Sequence, residues 1–140
     1  MMSLLKMSWA APHTDAALLV LRVVTGVIFF MHGWLKFGMG VAGVAGFLGT
    51  LGFPFTELFA VILIFVELVG GAALVLGALT RVSALFTGFV ALMSIATVHW
   101  SKGFMVGTGG YEFALLLVAA CVALLVLGAG KYSVDKYISF

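Results

Sequence analysis

Four long apolar stretches, separated by short segments rich in glycine or polar residues, set the pattern of this chain. A helix needs roughly 20 apolar residues to cross a bilayer, and each stretch approaches that length. The predicted spans cover residues 15–36, 56–79, 82–99 and 111–127. Residues 1–14 are expected to form an interfacial arm, and residues 128–140 a tail. The pattern predicts an all-α fold, an integral membrane four-helix bundle in a single domain.

The segment from Gly38 to Pro54 interrupts this pattern. It is too rich in glycine for an uninterrupted spanning helix, yet it carries regularly placed apolar residues. We predict a short amphipathic or re-entrant segment between the first and second spans, packed on the outer end of the bundle. A lid and a docking surface are both compatible with it.

The Thr80-Arg81 connection is so tight that the second and third spans must be antiparallel neighbours.

Composition excludes a soluble globule. With 64% hydrophobic and 9% charged residues, the chain could not cover a water-facing surface with polar groups. Its expected surroundings are therefore a lipid bilayer. The sequence has no acidic or basic run, so no nucleic-acid partner is expected.

Basic residues near the segment ends predict the topology. The side that holds both termini collects Lys6, Arg22, Arg81, Lys131 and Lys136. The opposite side has Lys36 and Lys102. Because basic residues favour the cytoplasmic side, we predict a multi-pass protein of the bacterial inner membrane with both termini in the cytoplasm.

Glu67 lies near the middle of the second span, where a carboxylate is costly unless it has a partner or a function. Arg22 lies in the first span, and at about 1.5 Å per residue the two depths differ by about 8 Å. An Arg22–Glu67 ion pair is therefore the first structural hypothesis. Such a pair could simply fix helix packing. Alternatively, Glu67 could transfer protons while Arg22 binds a ligand.

Gly70 and Gly71 follow Glu67 by about one helical turn and share its side of the helix. Glycines there permit close approach of a neighbouring helix. They could equally open a groove in which Glu67 bonds an apolar ligand, so both are candidate ligand-binding positions. The glycine-rich surface is also compatible with a homo-oligomer.

Titratable residues converge on the outer end of the predicted bundle. His32 and Lys36 are one turn apart, His99 ends the third span, and Glu112 opens the fourth. We expect either this cluster of His32, His99 and Glu112, or Glu67 with Arg22, to bond a ligand and relay its proton. Lys36 and Tyr111 are further candidate ligand-binding residues. Ordinary placement of such residues among lipid headgroups is the alternative.

No metal site is predicted, because two histidines without a ligand motif are weak support for one. Cys121 is the single cysteine, which excludes an intramolecular disulfide or a Cys-x-x-Cys redox pair.

Short stretches along the chain, from Leu18 to Asp135, resemble the DoxX family of small four-helix membrane proteins. They are, in order, Leu21-Arg22, Gly26, His32-Gly33, Lys36, Glu67-Leu68-Val69-Gly70-Gly71, Gly77 to Arg81, Thr97-Val98-His99, Gly109-Gly110-Tyr111-Glu112 and Ser133-Val134-Asp135. Their order and spacing together carry the resemblance, since no single motif among them is specific.

The resemblance implies a bundle of four helices with a link to respiratory or redox functions. Relatives act as subunits of thiosulfate:quinone oxidoreductase, or in membrane-bound oxidoreductase complexes that counter oxidative and thiol stress. This chain carries no flavin or nucleotide fingerprint. A redox role would therefore require a quinone or an oxidoreductase partner subunit, and no covalent cofactor is expected.

We expect a quinone-binding or partner-binding subunit of a bacterial membrane oxidoreductase system, without a redox centre of its own. A non-catalytic assembly or chaperone-like protein is the alternative, because eukaryotic proteins that resemble the family act in this way. A small-molecule transporter is a third hypothesis.

Overall fold

The computed structural model describes residues 13–138, so nearly all of the predicted interfacial arm lies outside the described residues. Four α-helices follow one another along the chain: α1 Thr14–Thr50, α2 Thr56–Leu76, α3 Thr80–Ser94 and α4 Glu112–Leu127. The described part of the chain contains no strand. The predicted all-α fold is confirmed.

By length and composition, three helices can cross a membrane: α1, α2, and α3 together with its extension to Lys102. With 16 residues, α4 is shorter, at about 24 Å against a hydrocarbon core of about 30 Å. The helices pack in a ring in chain order, and α4 closes it against α1. One end, here the tail end, carries residues 77–80 and 128–138. The other, the loop end, carries residues 38–55 and 100–111.

Gly40 breaks α1 into two pieces. Its backbone angles, φ 74° and ψ 163°, are not helical, and such a positive φ is natural only for a residue without a Cβ. The helix thus continues past Lys36, where the sequence predicted its end, and turns at Gly40. The second piece buries Val44, Ala45 and Leu48 against Ala60 and Ile64 of α2. The amphipathic segment predicted between the first two spans is confirmed.

Glycines bring the backbones of α1 and α2 into direct contact. A Cβ added to Gly33 would lie 2.6 Å from the amide nitrogen of Leu68 and 3.0 Å from the Cβ of Glu67. One added to Gly26 would lie 2.7 Å from the carbonyl oxygen of Gly71. Because these contacts involve main-chain atoms, they fix the register between the two helices.

The C-terminal tail ties the tail end together. The Asp135 carboxylate accepts hydrogen bonds from the backbone N–H groups of Leu79, at 2.6 Å, and Thr80, at 2.9 Å. These amides begin α3 and have no partner within the helix, so Asp135 caps it from a distant part of the chain. The amide of Asp135 in turn donates to the carbonyl oxygen of Gly77.

At the loop end, α3 continues into a π-helix, Ile95–His99, and a 3-10 turn, Trp100–Lys102. Single π turns inside α-helices are rare, and many of those that occur lie at functional sites. The following glycine-rich loop is held by its own backbone, with Tyr111 donating to the carbonyl oxygen of Gly103 and Glu112 to that of Phe104. These bonds fix where α4 begins.

Replacing Gly33 by alanine tests the contact between α1 and α2. The added methyl group collides with the α2 backbone beside Glu67, so we expect a loss of about 1 to 3 kcal/mol in unfolding free energy. Gly38→Ala is the matched control, because a Cβ there meets no atom within 4 Å. Unfolding of both variants in detergent should separate them, and equal stability would show that the helices are not in contact at Gly33.

Asp135→Ala removes the cap of α3. We expect a loss of about 1 to 2 kcal/mol, because two backbone donors at the start of a helix lose their acceptor. The exposed neighbour Lys136 provides the control substitution, Lys136→Ala. Thermal unfolding that ranks both variants as equally stable would contradict the capping contact.

Candidate functional site

A cavity of about 620 Å³ opens between the four helices in the half of the bundle nearest the loop end. Its walls are mainly phenylalanine and aliphatic side chains. The segment that follows Gly40 supplies part of them, through Phe47, Leu48, Leu51 and Phe53. The volume and the apolar lining are typical of small-molecule sites.

An ion pair between Lys36 and Glu67 lies in the wall of this cavity. The Lys36 Nζ donates to Oε2 of Glu67 at 2.6 Å, and the side chains are 22% and 6% exposed. The contact uses one carboxylate oxygen and one of the three ammonium protons, so both groups keep hydrogen-bonding capacity for a ligand. Glu67 thus has the partner that its position in an apolar span requires.

The hypothesis that Glu67 pairs with Arg22 is wrong. Gly33 faces Glu67 across the helix contact, whereas Arg22 lies against Gly77. Glu67 and Gly77 are about 15 Å apart along α2. Arg22, which lies beside Gly77, is therefore about 15 Å from the level of Glu67, roughly twice the difference in depth inferred for this pair from the sequence. The lysine nearer to Gly33 therefore reaches the carboxylate, and the arginine does not.

Arg22 belongs to the tail end instead. Its side chain is only 1% exposed, and its Nη2 donates to the carbonyl oxygen of Tyr132 at 2.7 Å. It does not line the cavity, so the structure separates this predicted ligand-binding residue from Glu67, His32 and Lys36.

Two of the predicted proton-handling residues, His32 and His99, line the cavity together with the ion pair. His32 lies one turn before Lys36 on α1, and His99 ends the π-helix across the cavity. The Nδ1 of His99 lies 2.7 Å from the carbonyl oxygen of Gly109. Convergence of His32, Lys36 and His99 is what their sequence positions predicted, whereas Glu67 was expected beside Arg22.

Glu112 and Tyr111 lie outside the cavity lining. The Oε1 of Glu112 accepts a hydrogen bond from the amide of Val106 at 2.7 Å, which closes the glycine-rich loop over the start of α4. The Tyr111 ring stacks on Trp100 with ring centroids 5.3 Å apart. Both residues hold the loop end in shape, and Glu112 does not line the cavity with His32 and His99, with which the sequence grouped it.

Gly70 and Gly71 are packing positions. A Cβ on Gly71 would overlap the backbone of α1 at Phe30, and one on Gly70 would lie 2.9 Å from Cγ2 of Thr87 on α3. Neither lines the cavity. Of the two interpretations left open by the sequence, close helix packing is the one that this geometry supports.

Ser94 and Thr97 also line the cavity and were not among the residues predicted from the sequence. Ser94 Oγ donates to the carbonyl oxygen of Ala91 at 2.7 Å, and Thr97 Oγ1 to that of Met93 at 2.8 Å. Two hydroxyls shortly before His99 in an apolar span were the available signal. The π-helix, which alters the face that each residue presents, could not be anticipated from helical spacing.

Cys121 is buried away from the cavity, with its Sγ 3.6 Å from Oγ1 of Thr87. Among residues 13–138, no three His, Cys, Asp or Glu side chains lie close enough together to hold a metal ion. The chemistry available in the cavity is therefore that of an ammonium–carboxylate pair, two imidazoles and two hydroxyls. Such groups can bind the polar head of an otherwise apolar molecule and exchange protons with it.

Comparison with known proteins agrees with this architecture. The model of the DoxX family matches residues 17–100, which include Lys36, Glu67 and His99. The chain is 33% identical over 120 residues to "Putative oxidoreductase CatD" of Bacillus subtilis, covering 86% of this chain and 85% of that protein. No solved structure gives a significant match.

Two relatives from Escherichia coli are described as inner membrane proteins. Identity to the inner membrane protein YqjF is 32% over 127 residues, covering 89% of this chain and 94% of the relative. For the inner membrane protein YphA it is 30% over 124 residues, with coverage of 85% and 88%. With its apolar helices and these relatives, the chain is a membrane protein, and it belongs to the DoxX family.

Proposed function

We propose that the cavity binds a membrane-soluble quinone and that the chain serves as the quinone-binding subunit of a bacterial membrane oxidoreductase system. The observation that carries this proposal is the Lys36–Glu67 pair, which is buried in the wall of an otherwise apolar cavity. A quinone has the matching form, a polar ring with two carbonyl oxygens on an apolar tail.

The cavity supports this assignment through its size and its polarity. About 620 Å³ accommodates a substituted ring with the first part of a tail. The free protons of the Lys36 ammonium can donate to a carbonyl oxygen, while phenylalanines surround the ring. Because lysine and glutamate neutralise each other, the site favours an uncharged ligand over an ion.

Proton transfer in this proposal falls to Glu67, His32 and His99, which line the same cavity. Reduction or oxidation of a quinone moves protons together with electrons, and groups within hydrogen-bonding reach carry them. His99 ends the π-helix at the loop end, so protons would enter or leave there. Under the topology predicted from the basic residues, with both termini in the cytoplasm, the loop end faces away from the cytoplasm.

An oxidoreductase partner subunit is part of the proposal. The chain carries a single cysteine and no nucleotide-binding glycine fingerprint, so the electron donor or acceptor is expected in another protein. Its relative in Bacillus subtilis is named as a putative oxidoreductase, which agrees with such a system.

Quinone binding tests the proposal directly. Purified protein in lipid nanodiscs is titrated with a decyl-substituted benzoquinone, and thermal stability and equilibrium binding are measured. At a concentration of 100 times Kd, a ligand of the folded state stabilises it by about 2.7 kcal/mol. Glu67→Gln should weaken binding about tenfold, because the neutral amide no longer holds the Lys36 ammonium at the head group.

Glu112→Gln is the matched control, since it also replaces a carboxylate by an amide, but at a residue outside the cavity lining. It should leave the affinity for the quinone unchanged. Failure of the wild-type protein to bind the quinone would refute the proposal and favour an assembly role. An effect of Glu112→Gln as large as that of Glu67→Gln would instead remove the assignment of the cavity as the site.

A further inference from the structure

We propose that the cavity prefers the reduced, hydroxyl-bearing form of its ligand, a lipid-soluble hydroquinone, over the oxidised quinone. The inference rests on the proposed function and adds the redox state of the ligand. It comes from three cavity-lining side chains of α3 and its π-helix, Ser94, Thr97 and His99, here called the acceptor face.

His99 lines the cavity and has one ring nitrogen, Nε2, left for a ligand. Its Nδ1 lies 2.7 Å from the carbonyl oxygen of Gly109, and a carbonyl oxygen can only accept, so Nδ1 carries the proton. In a neutral imidazole the proton on Nδ1 leaves Nε2 with a lone pair. In the neutral ring, the nitrogen that remains for a ligand is therefore an acceptor, and the glycine-rich loop selects this tautomer.

The two hydroxyl groups of the acceptor face can likewise only accept a hydrogen bond from a ligand. Each donates its proton to a carbonyl oxygen of α3, Ser94 to Ala91 and Thr97 to Met93. A hydroxyl has one proton to donate and two lone pairs. Once the proton is directed into the helix backbone, the oxygen has only lone pairs to offer a ligand.

Lys36 and Glu67 supply the complementary wall, where the ammonium donates and the carboxylate accepts. A hydroquinone satisfies both walls, because each of its hydroxyls can accept from Lys36 or donate to an acceptor. A quinone has carbonyl oxygens alone. It can accept from Lys36, but at the acceptor face its oxygen meets lone pairs and gains no hydrogen bond.

The test compares the two redox forms of one ligand. Decyl-substituted benzoquinone and its hydroquinone, kept reduced under anaerobic conditions, are titrated separately into the wild-type protein in nanodiscs at one fixed pH. We expect the hydroquinone to bind at least about fivefold more tightly, the difference that one hydrogen bond makes. Equal affinities, or tighter binding of the quinone, would overturn the inference and leave the proposed function standing. Binding of neither form would refute both.

Variants of His99 identify the group responsible. His99→Asn places an amide near the position of Nδ1, so it keeps the bond to Gly109 and removes the acceptor in the cavity. His99→Gln loses the bond to Gly109 and keeps an acceptor in the cavity, with its Oε1 near the position of Nε2. The ratio of hydroquinone affinity to quinone affinity should fall towards one in His99→Asn and be largely retained in His99→Gln. A ratio unchanged in His99→Asn would overturn the role of His99.

Thr97→Val serves as a second variant of the acceptor face, because valine keeps the shape of threonine and removes the oxygen. It should lower the ratio by weakening hydroquinone binding with little effect on the quinone. Weaker binding of both forms to the same degree would show that Thr97 contributes packing alone and would exclude it from the acceptor face.

Discussion

The buried contact between Lys36 and Glu67 constrains the rest of the structure. A carboxylate in the middle of an apolar helix needs a cation within reach, and the cation must come from a neighbouring helix. Gly33 permits that neighbour to approach until its backbone touches α2 beside Glu67. Once this register is set, Lys36 reaches the carboxylate at 2.6 Å, and the pair becomes the polar part of an apolar cavity.

The two ends of the bundle use their polar groups differently. At the tail end, Asp135 caps α3 and Arg22 holds the carbonyl oxygen of Tyr132, so polar side chains there serve the backbone. At the loop end, the glycine-rich loop satisfies itself through backbone bonds and Glu112. Only Nδ1 of His99 is used by the loop, so His32, Nε2 of His99 and the ion pair stay available to the cavity. This division explains why chemistry is expected at one end and stability at the other.

Much of the fold followed from the sequence, because apolar stretches, glycines and tight turns are local signals. The helices, the segment after Gly40 and the convergence of His32, Lys36 and His99 were all predictable. The partner of Glu67 was not, since it depends on how far α1 slides along α2, and a shift of about four turns exchanges Arg22 for Lys36. The roles of Ser94 and Thr97 depend on a π-helix that ordinary helical spacing does not predict.

Double-mutant cycles on the unfolding free energy test the central claim most directly. One cycle combines Lys36→Met with Glu67→Gln, and the other combines Arg22→Met with Glu67→Gln. Residues in contact are expected to couple by about 1 to 3 kcal/mol, and residues far apart to add independently. The structure predicts coupling in the first cycle and additivity in the second. Additivity in the first cycle with coupling in the second would contradict the register on which the cavity depends.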